Sequence, residues 1–300
     1  MRIANQSIFN AATLQLSTTL EGLYKANQAV SSGKRINTLS DDPVALVQTL
    51  SLRSSLSNMD QLERNISTAK NWLDGGETAL DSVKGLITDA KTLAIQMANG
   101  TMGDSERKDA AAQVEGMLEQ VVSLANTTVN GQYIFAGTKT DTKPFEIQVD
   151  AGGNPTGVSY SGNADPFAVN VGKDINEQVG HDGEAIFGDS SSGIFKTLID
   201  LKGYLETNNV NGIEQSMGNL DSDLNQIINT VSGIGAKGAG LDIKEKIMSD
   251  LKFSYTERKS SLEDADMIQA ISDLNSKQTA YQAALASSAK VTQMSLLNYL

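Results

Sequence analysis

"SSGKRINTLSDDPVA", residues 31–45, decides how this chain folds, because it stops one helix and starts another within fifteen residues. Gly33 can adopt the left-handed conformation that closes a helix, and Asp42-Pro43 supplies a cap followed by proline at the first helical position. The stretch also invites two ligand readings, and both fail on spacing. Gly33-Lys34-Arg35 lacks the G-x-x-x-x-G-K-[ST] pattern that wraps a phosphate, and Asp41-Asp42 lacks the spaced oxygen ligands and terminal glutamate of a calcium loop. It reads as a joint in which Gly33, Asp42 and Pro43 do the work.

Upstream of the joint, Phe9, Thr13, Leu16, Leu20, Leu23, Asn27 and Val30 recur at the four-and-three spacing of a heptad, with two polar members. Downstream, helical periodicity runs from Pro43 through Leu52, Ile66, Leu73, Leu80 and Ile87 to Met97. Gly75-Gly76 interrupts the pattern at a cost of about 2 kcal/mol in helix propensity, too little to break a helix packed along its length. "NGTMGDSER" (99–107) then turns the chain, with Asp104 as the expected cap. A further helix carrying Val114, Leu118, Val121 and Ala125 is expected to stop at Asn130-Gly131.

Between Gly131 and Gly193 lie three of the four prolines and eleven of the 26 glycines, too many for continued helix. "FEIQV" (145–149), "VSYS" (158–161) and "FAVNV" (167–171) alternate apolar and polar residues, the pattern of short strands with one buried face. Helix resumes at Ile194–Leu205. From Ile213 the heptad positions Ile213, Met217, Leu220, Leu224, Ile227, Val231 and Ile234 are all apolar; "GIGAKGAG" (233–240) loosens the pattern, which Leu241, Met248, Leu251, Tyr255 and Leu262 continue, so a long, locally strained helix is expected. "SLEDADM" (261–267) is a second joint, with Asp264 and Asp266 in it. Beyond it Met267, Ile271, Leu274, Gln278, Tyr281, Leu285 and Ser288 form another heptad stripe with polar gaps, ending in "SLLNYL". The layout is symmetric about the β-rich middle. It predicts a mainly α protein, an elongated antiparallel helical bundle or coiled-coil rod with a small β-rich insert domain.

Composition narrows the function. A net charge of −12 and a pI near 4.6 argue against a nucleic-acid surface. The absence of cysteine excludes disulfides, thiolate nucleophiles and cysteine-ligated zinc. No apolar run reaches membrane-spanning or signal-peptide length, so no membrane partner is expected, and export would need a route other than a cleaved signal. The one histidine, His181 in "GHDGEAIFG", reads as an exposed, glycine-flanked loop residue, and a two-histidine metal site cannot be built. The pairs Asp41-Asp42, Asp221 with Asp223, and Asp264 with Asp266 read as caps or solvated faces. No catalytic, cofactor or metal site is expected, and Trp72 is assigned to packing. The remaining signal is the terminal stripes. They suit an intramolecular coiled coil, and their polar members also suit helices completed only by neighbouring copies.

At these residues the sequence resembles the bacterial flagellin superfamily. The matching stretches are "VSSGKRINTLSDDPVA" (30–45), "TLAIQMANGTMGDSERKDAAAQVEGMLEQVVSLAN" (92–126), "NGQYIFAGTKTDTKPF" (130–145) and the segment from Ser260 to Leu300. The "MRI" start, "YIFAGT" with its following "KPF", and Pro43 in "SDDPVA" are similar to the hook-filament junction group rather than to filament subunits. The resemblance implies a non-enzymatic structural adaptor, exported unfolded through the flagellar type III apparatus to the cell exterior. It would form a homo-oligomeric ring joining the hook to the filament, between another hook-associated protein and the flagellin side, with an export chaperone as a further partner.

It also implies a division into residues 1–42 (N-terminal helix of an inner terminal domain), 43–137 and 191–262 (two halves of a helical rod domain), 138–190 (outer β-rich insert) and 263–300 (C-terminal helix of the inner domain). The expected assembly seams are Phe9, Leu16, Leu20, Leu23 and Val30 with Met267, Ile271, Leu274, Tyr281 and Leu285. A filament-forming flagellin, or an adhesin or enzyme activity carried by the insert, are the competing readings.

Overall fold

The computed structural model describes residues 2–189 and 191–297, with side chains described over 6–189 and 191–290. Met1, Ser190 and the Asn298-Tyr299-Leu300 end of the last predicted helix lie outside the described residues. The element order is α1 (Arg2–Ser32), α2 (Pro43–Met97), α3 (Asp104–Ala125), β1 (Thr128–Val129), β2 (Gln132–Tyr133), β3 (Phe145–Val149), β4 (Pro155–Tyr160), β5 (Ala168–Gly172), β6 (Ile175–Gln178), α4 (Gly183–Phe187), α5 (Gly193–Glu206), α6 (Val210–Glu263) and α7 (Met267–Leu297). The protein is mainly helical with a small insert of short strands, as the periodicity predicts.

Two compact units make up the chain: residues 1–59 with 250–300, and residues 60–249. The divisions fall inside α2 and α6, which run unbroken for 55 and 54 residues.

In the unit formed by both ends of the chain, α1 stops where expected. Gly33 has φ +69° and its amide donates to Ala29 O at 3.0 Å. Helix α2 begins at Pro43 with Asp42 as its cap, the Asp42 Oδ1 accepting from the Ala45 amide at 3.0 Å. Asp266 caps α7 in the same way, its Oδ1 accepting from the Ile268 and Gln269 amides at 2.9 and 3.2 Å. Helices α1 and α7 pack along each other. They run antiparallel, since Lys34 bridges Asp264 at one level while Gly22 meets the Lys277 side chain a few turns further along.

In the other unit, Gly75-Gly76 leaves α2 unbroken. A Cβ on Gly75 would stand 2.6 Å from Val129 Cγ2, so the glycine admits the β1 side chain against the helix. The core joins Ile66, Leu73, Leu80 and Ile87 of α2, Val114, Leu118 and Val121 of α3, Ile194, Leu198 and Leu201 of α5, and Ile213, Leu220 and Ile227 of α6. Trp72 is buried and its ring lies 4.9 Å from that of Phe167. At the base of the insert, Phe135, Phe145, Phe187 and Phe195 form an edge-to-face and tilted aromatic cluster, with Tyr160 against Phe145 at 5.0 Å. The "IFA" of "YIFAGT" is therefore wholly buried packing.

Two boundary expectations need correction. Asp104 is the first helical residue of α3 and Gly103 occupies the cap position, so the Asp104 carboxylate is free to accept from Asn208 Nδ2 at 2.6 Å instead. Asn130-Gly131 does not stop α3, which ends at Ala125. The two residues have φ +53° and +81° and form the turn of the β1–β2 hairpin.

The predicted strand at 145–149 is present over those residues, paired antiparallel with β4, while β5 pairs with β6, a strand the alternation did not reveal. The described strands form three separate two-stranded sheets that use the helices as their buried partner.

Candidate assembly site

The ten seam residues all lie on α1 and α7, and none is fully buried. Leu16, Leu23, Val30, Leu274 and Tyr281 are half-buried. Phe9, Leu20, Met267, Ile271 and Leu285 remain between 41% and 53% exposed. Pairing two helices thus covers only part of each stripe, and large apolar side chains stay in contact with water.

Further apolar residues off the heptad point outward: Leu14 is 70%, Tyr24 68% and Ile268 84% exposed. Sequence reasoning passed over them because they break the heptad. Their signal is an apolar side chain on a face that a two-helix pair would leave polar. Charge is sparse here: Glu21, Lys25, Asp273, Lys277 and Lys290 are all that residues 3–33 and 267–300 carry, and Glu21 pairs with Lys25 at 3.2 Å. A groove of about 530 Å³ lies along the pair, lined by Gly22, Ala26, Ala29 and Ala270 and by Lys25 and Lys277.

Beneath this pair the two joints meet. The Arg35 amide donates to Glu263 O at 2.7 Å, the Ala265 amide donates to Gly33 O at 2.9 Å, and the Arg35 guanidinium donates to Leu262 O at 2.9 Å. Asp41 closes the turn of the first joint, accepting from the Asn37 and Thr38 amides at 3.1 and 2.8 Å. Those backbone amides hold its carboxyl below the usual range. Asp264 accepts from the Ser260 hydroxyl. Of the acidic pairs at the joints, Asp42 and Asp266 are caps, Asp41 closes a turn and Asp264 holds the Ser260 hydroxyl.

Glu263, which no sequence motif singles out, is buried between Lys34 and Arg53, and both cations bond its Oε1. Burial pushes this carboxyl up, but the Lys34 and Arg53 hydrogen bonds outweigh it and leave the group below its ordinary value.

Outside the joints, the expectation of an exposed His181 is corrected. Its ring lies 6.5 Å from that of Phe135, its carbonyl accepts from the Gly137 amide at 3.3 Å, and its Nε2 is shut from solvent without a hydrogen-bond partner. Burial, aided by the positive charge of Lys237, pushes its pKa down to about 4. The glycines beside it made an exposed loop look natural, but they serve close approach: a Cβ on Gly183 would stand 2.4 Å from Phe135 O.

Asp221 pairs with Lys91 on the surface, whereas Asp223 is half-buried and burial raises its carboxyl. Among the described residues no group of three or more His, Asp or Glu side chains converges as a metal site, and no helix is long and apolar enough to cross a membrane.

A mainly helical chain whose two ends pair, with apolar side chains left open above the meeting of its two joints, defines a class of helical proteins built around paired termini. The bacterial flagellin N-terminal helical region matches residues 3–140, and the bacterial flagellin C-terminal helical region matches residues 217–300. The chain belongs to the bacterial flagellin family.

Within it, the chain is 27% identical to flagellar hook-associated protein 3 of Escherichia coli K12 over 94% of each chain. It is 28% identical to the Salmonella typhimurium protein of the same name over 99% of this chain and 98% of that one. Flagellin of Listeria monocytogenes aligns at 22% identity over 96% of this chain and 95% of its own. The fold is shared with a solved structure from Vibrio parahaemolyticus described as a flagellar hook-associated protein, with a TM-score of 0.67 and 23% identity over 75% of this chain and all of that one.

Proposed function

We propose that this chain is the structural adaptor joining the hook of the bacterial flagellum to its filament. It has no enzymatic role in this reading. Copies associate laterally as a ring through α1 and α7, with another hook-associated protein and the hook on one side and the filament side on the other. The chain reaches the cell exterior by flagellar export without a cleaved signal, escorted by a chaperone.

The observation that carries this reading is the open apolar face of the α1–α7 pair. Water-exposed Leu14, Leu20, Tyr24 and Ile268 on sparsely charged helices are stabilised by packing against like surfaces, with few charges to repel a second copy. The near full-length relation to hook-associated protein 3 supports the junction over the filament, because identity to flagellin is lower over a similar span. A filament subunit is the second reading, favoured by the family relation alone.

The test replaces exposed apolar residues without touching the fold. The double variant Leu14→Ser, Ile268→Ser should change monomer stability by no more than about 0.5 kcal/mol, as surface substitutions do. It should fail to restore filaments to a motile strain from which the native protein has been deleted. Full restoration would contradict assembly through this face.

A further inference from the structure

Glu263 and its two partners form a device that the proposed function does not by itself require. The carboxylate is 2% exposed, with both Lys34 and Arg53 on one oxygen. Its other oxygen makes no hydrogen bond and is shut from solvent, as is the hydroxyl of Thr49, one turn before Arg53 on the same face of α2. The cations differ from it: Lys34 is 41% and Arg53 45% exposed, so each can return to water. A buried carboxylate bonded through one oxygen is tolerated only while its cations stay in place, since an uncompensated buried charge is strongly unfavourable.

The three residues also come from three places. Lys34 leaves α1, Arg53 stands on α2, and Glu263 is the last residue of α6, 210 positions from Arg53. Their meeting point coincides with the backbone bridge between the joints.

We infer that Glu263 is the latch of a rigid corner, a positioning residue that fixes the paired terminal helices onto the start of α2 and the end of α6, and that assembly uses the latched form. The joints are then one locked corner and not two free hinges. The assembly half of this inference rests on the proposed function; the latch itself does not.

The asymmetry in burial gives the latch a signature. Removing the carboxylate charge leaves two cations that can turn to water, whereas removing both cations strands the carboxylate. In the isolated full-length chain, hydrogen exchange at the Arg35 and Ala265 amides, which cross the joint, reads the opening of the corner. Glu263→Gln should speed that exchange about tenfold and Lys34→Met with Arg53→Met about a hundredfold. Adding Glu263→Gln to the latter pair should return exchange to the level of Glu263→Gln alone. Exchange at the Ile134 amide, in the other unit, should not move. Wild-type exchange in all three variants, or a triple variant faster than the double, would overturn the latch.

In a strain lacking the native protein, Glu263→Gln should restore fewer filaments than the wild-type chain. Full restoration by a variant whose joint amides exchange fast would overturn its role in assembly. Failure of the wild-type chain to restore filaments would count against the hook-filament reading, with the exchange result still deciding the latch.

Discussion

Arg107 shows how much a single side chain carries in the helical unit. It is 3% exposed, its Nε donates to Met97 O at 2.9 Å, and one Nη donates to Asn99 O at 3.1 Å while the other reaches the Asn208 side chain. It thereby satisfies carbonyls left open at the end of α2 and ties them to the α5–α6 turn, where Asn208 has φ +54°. Arg107→Met leaves the buried Met97 carbonyl without its partner, while Asn99 O keeps the Met102 amide, and should cost about 1–3 kcal/mol in a denaturant melt.

His181 makes a pH prediction. Its folded pKa lies below its unfolded value of 6.5, so the stability from burying it neutral is fully present above pH 6.5 and is lost as pH falls toward 4. His181→Phe should flatten the melting temperature over that window. Neither role was legible in the sequence. Gly33, Asp42, Pro43 and Asp266 were, because stopping and capping a helix depends on neighbours within four residues. Glu263 was not, because its partners lie hundreds of positions away along the chain.

Among elements, α6 settles a question raised by its glycines. Gly233, Gly235, Gly238 and Gly240 fall within one continuous helix, and a Cβ at any of them would meet open space in the isolated chain. Gly235→Ala should therefore stabilise the monomer by about 1 kcal/mol, the difference in helix propensity, as measured by chemical denaturation. No gain, or a loss, would show that this stretch is held by something other than helix propensity.

The long helices were legible because a stripe of seven apolar positions at heptad spacing fits one face of a helix and fits neither face of a strand. The hairpins were less so. Asn-Gly can end a helix or turn a hairpin, and at Asn130-Gly131 the second role wins because Thr127 and Thr140 pair their carbonyls with Ile134 and Tyr133 amides. Strand β6, "INEQ", has no strong alternation, and β5 decides its conformation.

At the scale of the whole molecule, the terminal pair and the insert differ in what they bury. The insert contributes Phe145, Val158, Val171 and Phe187 to a core shared with α3 and α5, so its base is part of the fold. The paired ends bury little and keep their apolar faces open, which is the physical case for a surface completed by other copies. The sequence made the matching of the two ends visible, but not the outward Leu14, Tyr24 and Ile268 that leave the pair incomplete.

The central claim is that this surface is used at one place, between hook and filament. Immunogold labelling of intact flagella with an antibody against this chain tests it most directly. The account predicts label confined to the hook-proximal end of the filament, and label along the whole filament would contradict it.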